Sequence, residues 1–230
     1  MSRSTTLIIV SPVSLAYRLS LALVDLRIHK EPCATRIVRT TQRLGAAGRC
    51  DASANRRNSM SYQLIYGDCL EVMPTLADKS IDAVITDPPY GIDFKSNGQL
   101  FTGAKSIYGD KTTELAEIVA KFYSGKTVMM FFSPYKPYNI NWRNVLVWNK
   151  GGHVGIGGDR ETCWKRDFEL IGVKDNRPLN GFRDSAVLNF NAVLPPPSGH
   201  FAEKPVGLMA YLIRKLTNPG DTIIDPFTGS

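Results

Sequence analysis

Hydrophobic positions along the chain fall into two patterns, short apolar runs and runs with a helical period. The short runs are "QLIY" (63–66), "IDAVI" (81–85), "TVMMFF" (127–132), "NVLVW" (144–148), "FELIGV" (168–173) and "TII" (222–224), two of them carrying a single acid. Short apolar runs bounded by Gly, Pro, Asp or Asn predict buried strands. Leu115, Ile118, Val119 and Phe122 recur at helical spacing, with Thr113 as a candidate N-cap and Gly125 as a stop. Leu208, Met209, Leu212, Ile213 and Leu216 form a second helical face that opens at Pro205 and closes at Asn218-Pro219-Gly220. A turn at Gly67-Asp68 leads into a third, short helix. Strands alternating with helices predict an α/β fold with a mostly parallel sheet, and the sequence contains no internal repeat.

The N-terminal quarter reads differently. Residues 7–24 are apolar, but Pro12, Arg18 and three serines interrupt a run already short for a bilayer. Neither an export signal nor a membrane association is expected. Residues 25–59 keep no sustained period and are rich in Arg, Gly and Ala, the composition of an unstructured segment. The expected organisation is therefore an extension over 1–59 and one domain over 60–230.

Charge sharpens this division. The chain carries a formal +7, and residues 1–59 hold ten Lys/Arg against three Asp/Glu, so the excess lies wholly in the extension. The domain itself is balanced, and global basicity identifies no partner for it. A basic arm for DNA phosphates is the sharper reading of 1–59, but its charges follow no pattern. Cys33, Cys50, Cys69 and Cys163 make no C-x-x-C pair, and the three histidines do not cluster. No metal site or disulfide framework is expected, and a reducing cytoplasm fits.

Two strand ends carry unusual residues. The run at 81–85 leads into Asp87-Pro88-Pro89-Tyr90, and the run at 222–224 leads into Asp225-Pro226-Phe227-Thr228-Gly229-Ser230. Ligands of open α/β sheets sit outside the carboxyl ends of the strands. Two consecutive prolines fix φ twice and remove two donors, which is unfavourable unless a rigid backbone is needed. The Asp87 carboxylate and the Pro88 carbonyl could accept both N–H bonds of a planar exocyclic amino group. Its lone pair would then point at an electrophile, with the position set in advance by Pro88-Pro89. Tyr90 offers a face for stacking a base, an interaction commonly worth about 1–3 kcal/mol. Two acceptors and one ring, held stiff, suit a flipped base.

"TDPPYGID" and "HFAEKPVGLMAYLIRKLTNPGDTIIDPFTGS" together resemble the amino-DNA methyltransferases, which modify adenine N6 or cytosine N4 using S-adenosylmethionine. The order, D-P-P-Y before the K-P element and the D-P-F-x-G-S loop, is that of the family's circularly permuted class. "YGDCLEVMPTLADKSIDAVITDPPY", "VLVWNKGG" and "WKRDFELIGV" are also similar to its intervening segments, so the resemblance covers about residues 62–230. It implies a Rossmann-like, circularly permuted sheet that binds S-adenosylmethionine and double-stranded DNA. The reaction it implies is direct displacement on a flipped base, with no covalent enzyme intermediate and no metal.

Asp87, Pro88, Pro89 and Tyr90 match the family's amino-group clamp. Asp225, Phe227, Thr228, Gly229 and Ser230 match its cofactor loop. His200, Lys204 and Pro205 match the element beside the cofactor's methionine end, although Phe201 replaces the usual proline. Asp68 lies where the family often contacts the cofactor's adenine side, though Gly67-Asp68 is equally a common turn pair.

Asp before Pro-Pro-Tyr favours adenine. Cytosine N4, a protein glutamine amide and a defective remnant that at most binds DNA stay open as alternatives, and a restriction endonuclease partner is compatible with the family. In the family another Gly, a helix and an acid-ending strand follow this loop, so the resemblance implies a cofactor pocket incomplete at the C-terminus. Candidate target-reading segments are 94–111, 151–158 and 174–199.

Overall fold

The computed structural model describes residues 6–11, 37–40, 61–76, 80–93, 109–151, 167–175, 177–193 and 203–227. The strands are β1 (Thr6–Ser11), β2 (Ile37–Thr40), β3 (Ser61–Tyr66), β4 (Ala83–Thr86), β5 (Thr127–Phe132), β6 (Asn144–Asn149), β7 (Phe168–Lys174), β8 (Val187–Asn189) and β9 (Thr222–Asp225). The helices are α1 (Cys69–Val72), continued by a 3-10 turn over Met73–Thr75, α2 (Glu114–Phe122) and α3 (Val206–Leu216).

Among the described residues these strands form one nine-stranded sheet in the order β2-β3-β1-β9-β4-β5-β7-β6-β8. The α/β class expected from the sequence holds. The five strands β3, β1, β9, β4 and β5 run parallel. β7 then runs antiparallel to both β5 and β6, β8 lies parallel to β6, and β2 is antiparallel to β3. Reversal at β7 puts its first residues on the same sheet edge as the last residues of β4, β5, β6 and β9. That edge is where the chemistry collects.

All six residues of β5 and all four of β4 are buried, because helices cover both faces. Val84, Val128, Met130, Phe132 and Ile224 pack with Val72, Met73, Ala116, Val119 and Ala120 on one face. Their chain neighbours Ala83, Ile85, Met129, Phe131 and Ile223 pack with Leu208, Leu212 and Leu216 of α3 on the other. This alternation is the strand period of two applied to a sheet with two dry faces. Each Val, Leu, Ile, Phe or Met among them contributes about 1.5–3 kcal/mol when fully removed from water.

Several expectations are corrected. The division at residue 60 fails for Thr6–Ser11, which lie inside the sheet as β1, in register with β3 from Thr6 opposite Ser61 to Ser11 opposite Tyr66. "TLIIVS" has the β-branched, unbroken apolar character of a central strand, and Ile8 is buried there. Within 25–59, residues 37–40 form β2, and the other residues read there as unstructured lie outside the described residues. The apolar face of α2 is also rotated from the one expected. Ala116, Val119 and Ala120 are buried, while Ile118 and Phe122 stay largely exposed, because small residues let the helix lie close on the sheet. Thr113 makes no side-chain cap, its hydroxyl donating instead to Glu117 Oε1 at 2.8 Å. Finally, β8 lies within the candidate reader segment 174–199, where no strand was expected.

Among the described residues, no helix is long and apolar enough to cross a membrane, and no group of three or more His, Cys, Asp or Glu residues could hold a metal ion.

Candidate active site

β4 and β9 are hydrogen-bonded neighbours, with Ala83 opposite Ile223 and Val84 opposite Ile224. Their ends therefore place Asp87 and Asp225 at one edge of the sheet, and the intervening Thr86 hydroxyl donates to Asp225 Oδ1 at 2.5 Å. The two acids thus end adjacent parallel strands.

The corner after β4 is braced from two other segments. The Gly91 N–H donates to Asp110 Oδ1 at 2.7 Å, and Asp93 N–H donates to the Asp110 carbonyl at 2.6 Å. Gly91 has φ +72°, and a Cβ there would meet the Thr112 backbone at 2.9 Å, so the turn requires glycine. The Lys136 ammonium donates to the Gly91 carbonyl, and the Tyr138 hydroxyl donates to the Pro89 carbonyl at 3.2 Å. Tyr138 lies 3.5 Å from the Pro88 carbonyl, at the outer limit of a bond. Rigidity thus comes from the prolines and from Asp110, Lys136 and Tyr138 together.

Asp87 lies in a network of alternating charges. Its Oδ2 accepts from the Lys204 ammonium at 2.6 Å, and its Oδ1 lies 2.8 Å from the Tyr90 hydroxyl. The same hydroxyl is 2.9 Å from Glu169 Oε2, so its one proton serves one carboxylate at a time. Lys204 also approaches Glu169 Oε2 at 3.3 Å, and the other Glu169 oxygen accepts from Lys150 at 2.5 Å. Two carboxylates and two ammoniums therefore balance. The Lys204 side chain is 9 % exposed, and its ammonium sits 4.9 Å from the Phe131 ring centre, with Tyr90 at 5.7 Å and Trp148 at 5.8 Å. Rings of this kind stabilise a desolvated cation.

Burial pushes the Asp87 carboxyl up from its ordinary value, against the Lys204 charge that pulls it down. Glu169 is held below its ordinary value: burial raises it, but the Lys204 and Lys150 charges together outweigh that. Burial acts against the Lys204 charge, yet Asp87 and Glu169 hold its ammonium above the ordinary lysine range. Tyr90 and Tyr138 are both pushed well up by burial and by the nearby carboxylates, so they remain protonated donors. Asp225 is different. Burial pushes it up to about 6, and the bonds from Thr86 and from the Phe227 N–H at 3.1 Å offset this only in part.

Of the residues expected at the site, Asp87, Pro88, Pro89, Tyr90, Lys204, Asp225 and Phe227 are brought to this edge. Lys204 meets Asp87 directly, a contact the sequence did not suggest. Asp68 follows β3, two strands from β9, and its side chain caps α1 by accepting from the Leu70 N–H at 2.8 Å. His200, Thr228, Gly229 and Ser230 lie outside the described residues, as do most of the candidate reader segments 94–111 and 151–158. Glu169, Lys150, Trp148, Tyr138 and Asp110 were missed. For Glu169 a signal existed: an acid inside the apolar run "FELIGV".

Residues 126–230 match the DNA methylase family of the N6/N4 type. Over that stretch the chain is similar to the DNA methylases. It is 25 % identical over 187 residues to the putative methylase YubD of Escherichia coli, covering 73 % of this chain and 76 % of that protein. It is 25 % identical over 219 residues to the type II methyltransferase M.HinfI of Haemophilus influenzae, covering 75 % of this chain and 60 % of that one. Among solved structures, the crystal structure of the M1.HpyAVI–SAM complex matches with a TM-score of 0.46 and 22 % identity, over 71 % of this chain and 81 % of that one. The methylase-type match begins just before β5 and contains Asp225, Lys204 and Glu169; Asp87 precedes it.

Proposed function

We propose that this chain transfers a methyl group from S-adenosylmethionine to the exocyclic N6 of an adenine turned out of double-stranded DNA. The observation that carries this reading is the adjacency of Asp87 and Asp225 on neighbouring parallel strands, inside a chain related to DNA methylases. Adenine over cytosine rests on Asp87 as the residue before Pro-Pro-Tyr.

The residues present fit the cofactor. Asp225 is a half-buried carboxylate pushed up by burial and by the like charge of Asp87, and Thr86 and the Phe227 N–H give it neutral donors. A ligand bearing an ammonium and a sulfonium supplies the missing cation, and Phe227 beside it supplies apolar surface. When bound, S-adenosylmethionine provides a methyl carbon that takes the nitrogen's lone pair while the C–S electron pair stays on sulfur and one proton leaves the nitrogen.

The chain's own part is to hold the amino group. Asp87 accepts an N–H and thereby favours the pyramidal nitrogen that reaction requires, and the braced corner fixes where that nitrogen sits. Two anionic groups at one edge also favour the positive charge that builds on the nitrogen as it attacks.

Incorporation of labelled methyl groups into unmethylated duplex DNA tests the reading, with nucleoside analysis of the product. Wild-type chain is expected to yield N6-methyladenine, and Asp87→Ala to lower the rate at least ~100-fold, the scale of losing an electrostatic contact in a dry site. Equal incorporation by the two proteins, or label found in cytosine, would remove this assignment.

A further inference from the structure

Glu169 lies outside the two strand-end clusters that first identified the site, yet it lies within reach of both side chains that contact Asp87, Lys204 and Tyr90, and also meets Lys150. We propose that Glu169 is a positioning residue that takes over the Lys204 ammonium when an amino group claims Asp87. This inference rests on the function proposed above, because that function requires a neutral N–H to compete with an ammonium for one carboxylate.

The competition is unequal without help. Lys204 Nζ lies 2.6 Å from Asp87 Oδ2 in a nearly dry setting. Breaking a buried ion pair by removing one partner strands the other charge, which is strongly unfavourable. A neutral amino group cannot offset that. Glu169 removes the difficulty, because its Oε2 already lies 3.3 Å from the same ammonium. A shift of under an ångström toward Glu169 keeps the cation paired and turns Asp87 Oδ2 toward the cleft. Asp87, 28 % exposed, is the carboxylate open to an incoming group, while Glu169 and Lys204 are the covered pair.

Two further contacts suit this role. The Tyr90 hydroxyl lies within bonding distance of both carboxylates, so it too transfers from Asp87 to Glu169 by rotation of one O–H. Lys150 at 2.5 Å holds the far oxygen of Glu169, so the carboxylate does not follow the departing cation out of place. Trp148, opposite Glu169 in the β6–β7 register, donates its ring N–H to the Phe190 carbonyl at 2.7 Å and fixes the wall behind.

The test uses the full chain labelled with 15N-lysine. A buried ammonium exchanges its protons slowly and gives a resolved signal; Lys204→Arg assigns it by loss. Asp87→Asn imitates an Asp87 already claimed. The expected result is that the protected Lys204 signal persists in wild type and in Asp87→Asn, and disappears in the Asp87→Asn/Glu169→Gln double variant. Its loss in Asp87→Asn alone, its absence from wild type, or its survival in the double variant overturns the proposal. Asp87→Asn alone decides the matter if the double variant does not fold.

In the methylation assay, Glu169→Gln is expected to lower kcat about 10–100-fold with the KM for S-adenosylmethionine within threefold, and Glu169→Asp to recover part of it. An unchanged kcat in Glu169→Gln also overturns the role. If wild-type chain methylates no DNA, the proposed function fails while the ammonium signal still decides what Glu169 does.

Discussion

Asp87 and Asp225 end neighbouring parallel strands and both are drawn out of water, but the protein compensates them in different ways. Asp87 faces a cation supplied by the chain itself, Lys204, which Glu169 shares. Asp225 receives neutral donors, the Thr86 hydroxyl and the Phe227 N–H. Burial pushes the Asp225 carboxyl up to about 6, and neutral donors, which stabilise a carboxylate less than an ammonium does, offset this only in part. One end of the cleft is already charge-balanced and must be opened to act. The other is short of positive charge and suits a cationic ligand.

The largest expected effect comes from removing the internal cation. Lys204→Met leaves Asp87 and Glu169 as two carboxylates around a buried apolar side chain. Breaking a buried pair in this way typically costs about 3–5 kcal/mol of stability, read as the shift in a urea denaturation curve at neutral pH. Lys204→Met/Glu169→Gln, which removes one of two carboxylates that repel each other once the lysine is gone, is expected to recover part of the loss. If single and double variants unfold at the same urea concentration, the two carboxylates are not coupled through this lysine.

The second effect belongs to Asp225 and has the opposite sign. Its carboxyl is raised from an ordinary value of 3.8 to about 6, so the folded protein holds a proton that the unfolded chain releases. That contribution is fully present below pH 4 and is lost as pH rises through 6. Two units correspond to about 3 kcal/mol at most. Asp225→Asn should therefore match wild type near pH 4 and exceed it by about 2–3 kcal/mol above pH 7, while binding S-adenosylmethionine more weakly by calorimetry. A constant difference between the two proteins across this range would place the titration elsewhere.

Much of this was legible in the sequence, and the reasons differ by region. The stretches 83–85, 128–132 and 223–224 are apolar without a break because their strands are dry on both faces, and such runs are read directly. Asp87 and Asp225 were legible because parallel strands deliver their functional residues at their carboxyl ends. Glu169 was not, because β7 runs the other way and presents its beginning at that edge. The one local mark, an acid inside an apolar run, does not say which edge of the sheet the start of the strand will occupy. β1 was missed for another reason: "TLIIVS" is separated from its partners β3 and β9 by 49 and 210 residues of chain, and distant pairing leaves no mark on short-range pattern. The exposed Ile118 and Phe122 show the converse, since hydrophobic spacing named a face that the smaller Ala116 and Ala120 took.

The smallest effect tests the comparison at its finest point. Thr86 is fully buried, and its hydroxyl is the shorter of the two bonds that Asp225 accepts, at 2.5 Å. Thr86→Val keeps the shape of the side chain and deletes that donor alone. A hydrogen bond to an ionised group contributes about 1.5–3 kcal/mol and one to a neutral group about half as much, so the loss should be larger at pH 7.5 than at pH 4.5. The same deletion removes an influence that lowers the Asp225 carboxyl, so its titration should move above 6 and the stability lost with rising pH should fall away later. Carbon-13 labelling of the aspartates reads that shift directly. A midpoint that stays where it is in wild type would mean that Thr86 serves only to fill space, and that Asp225 is compensated by a charge after all.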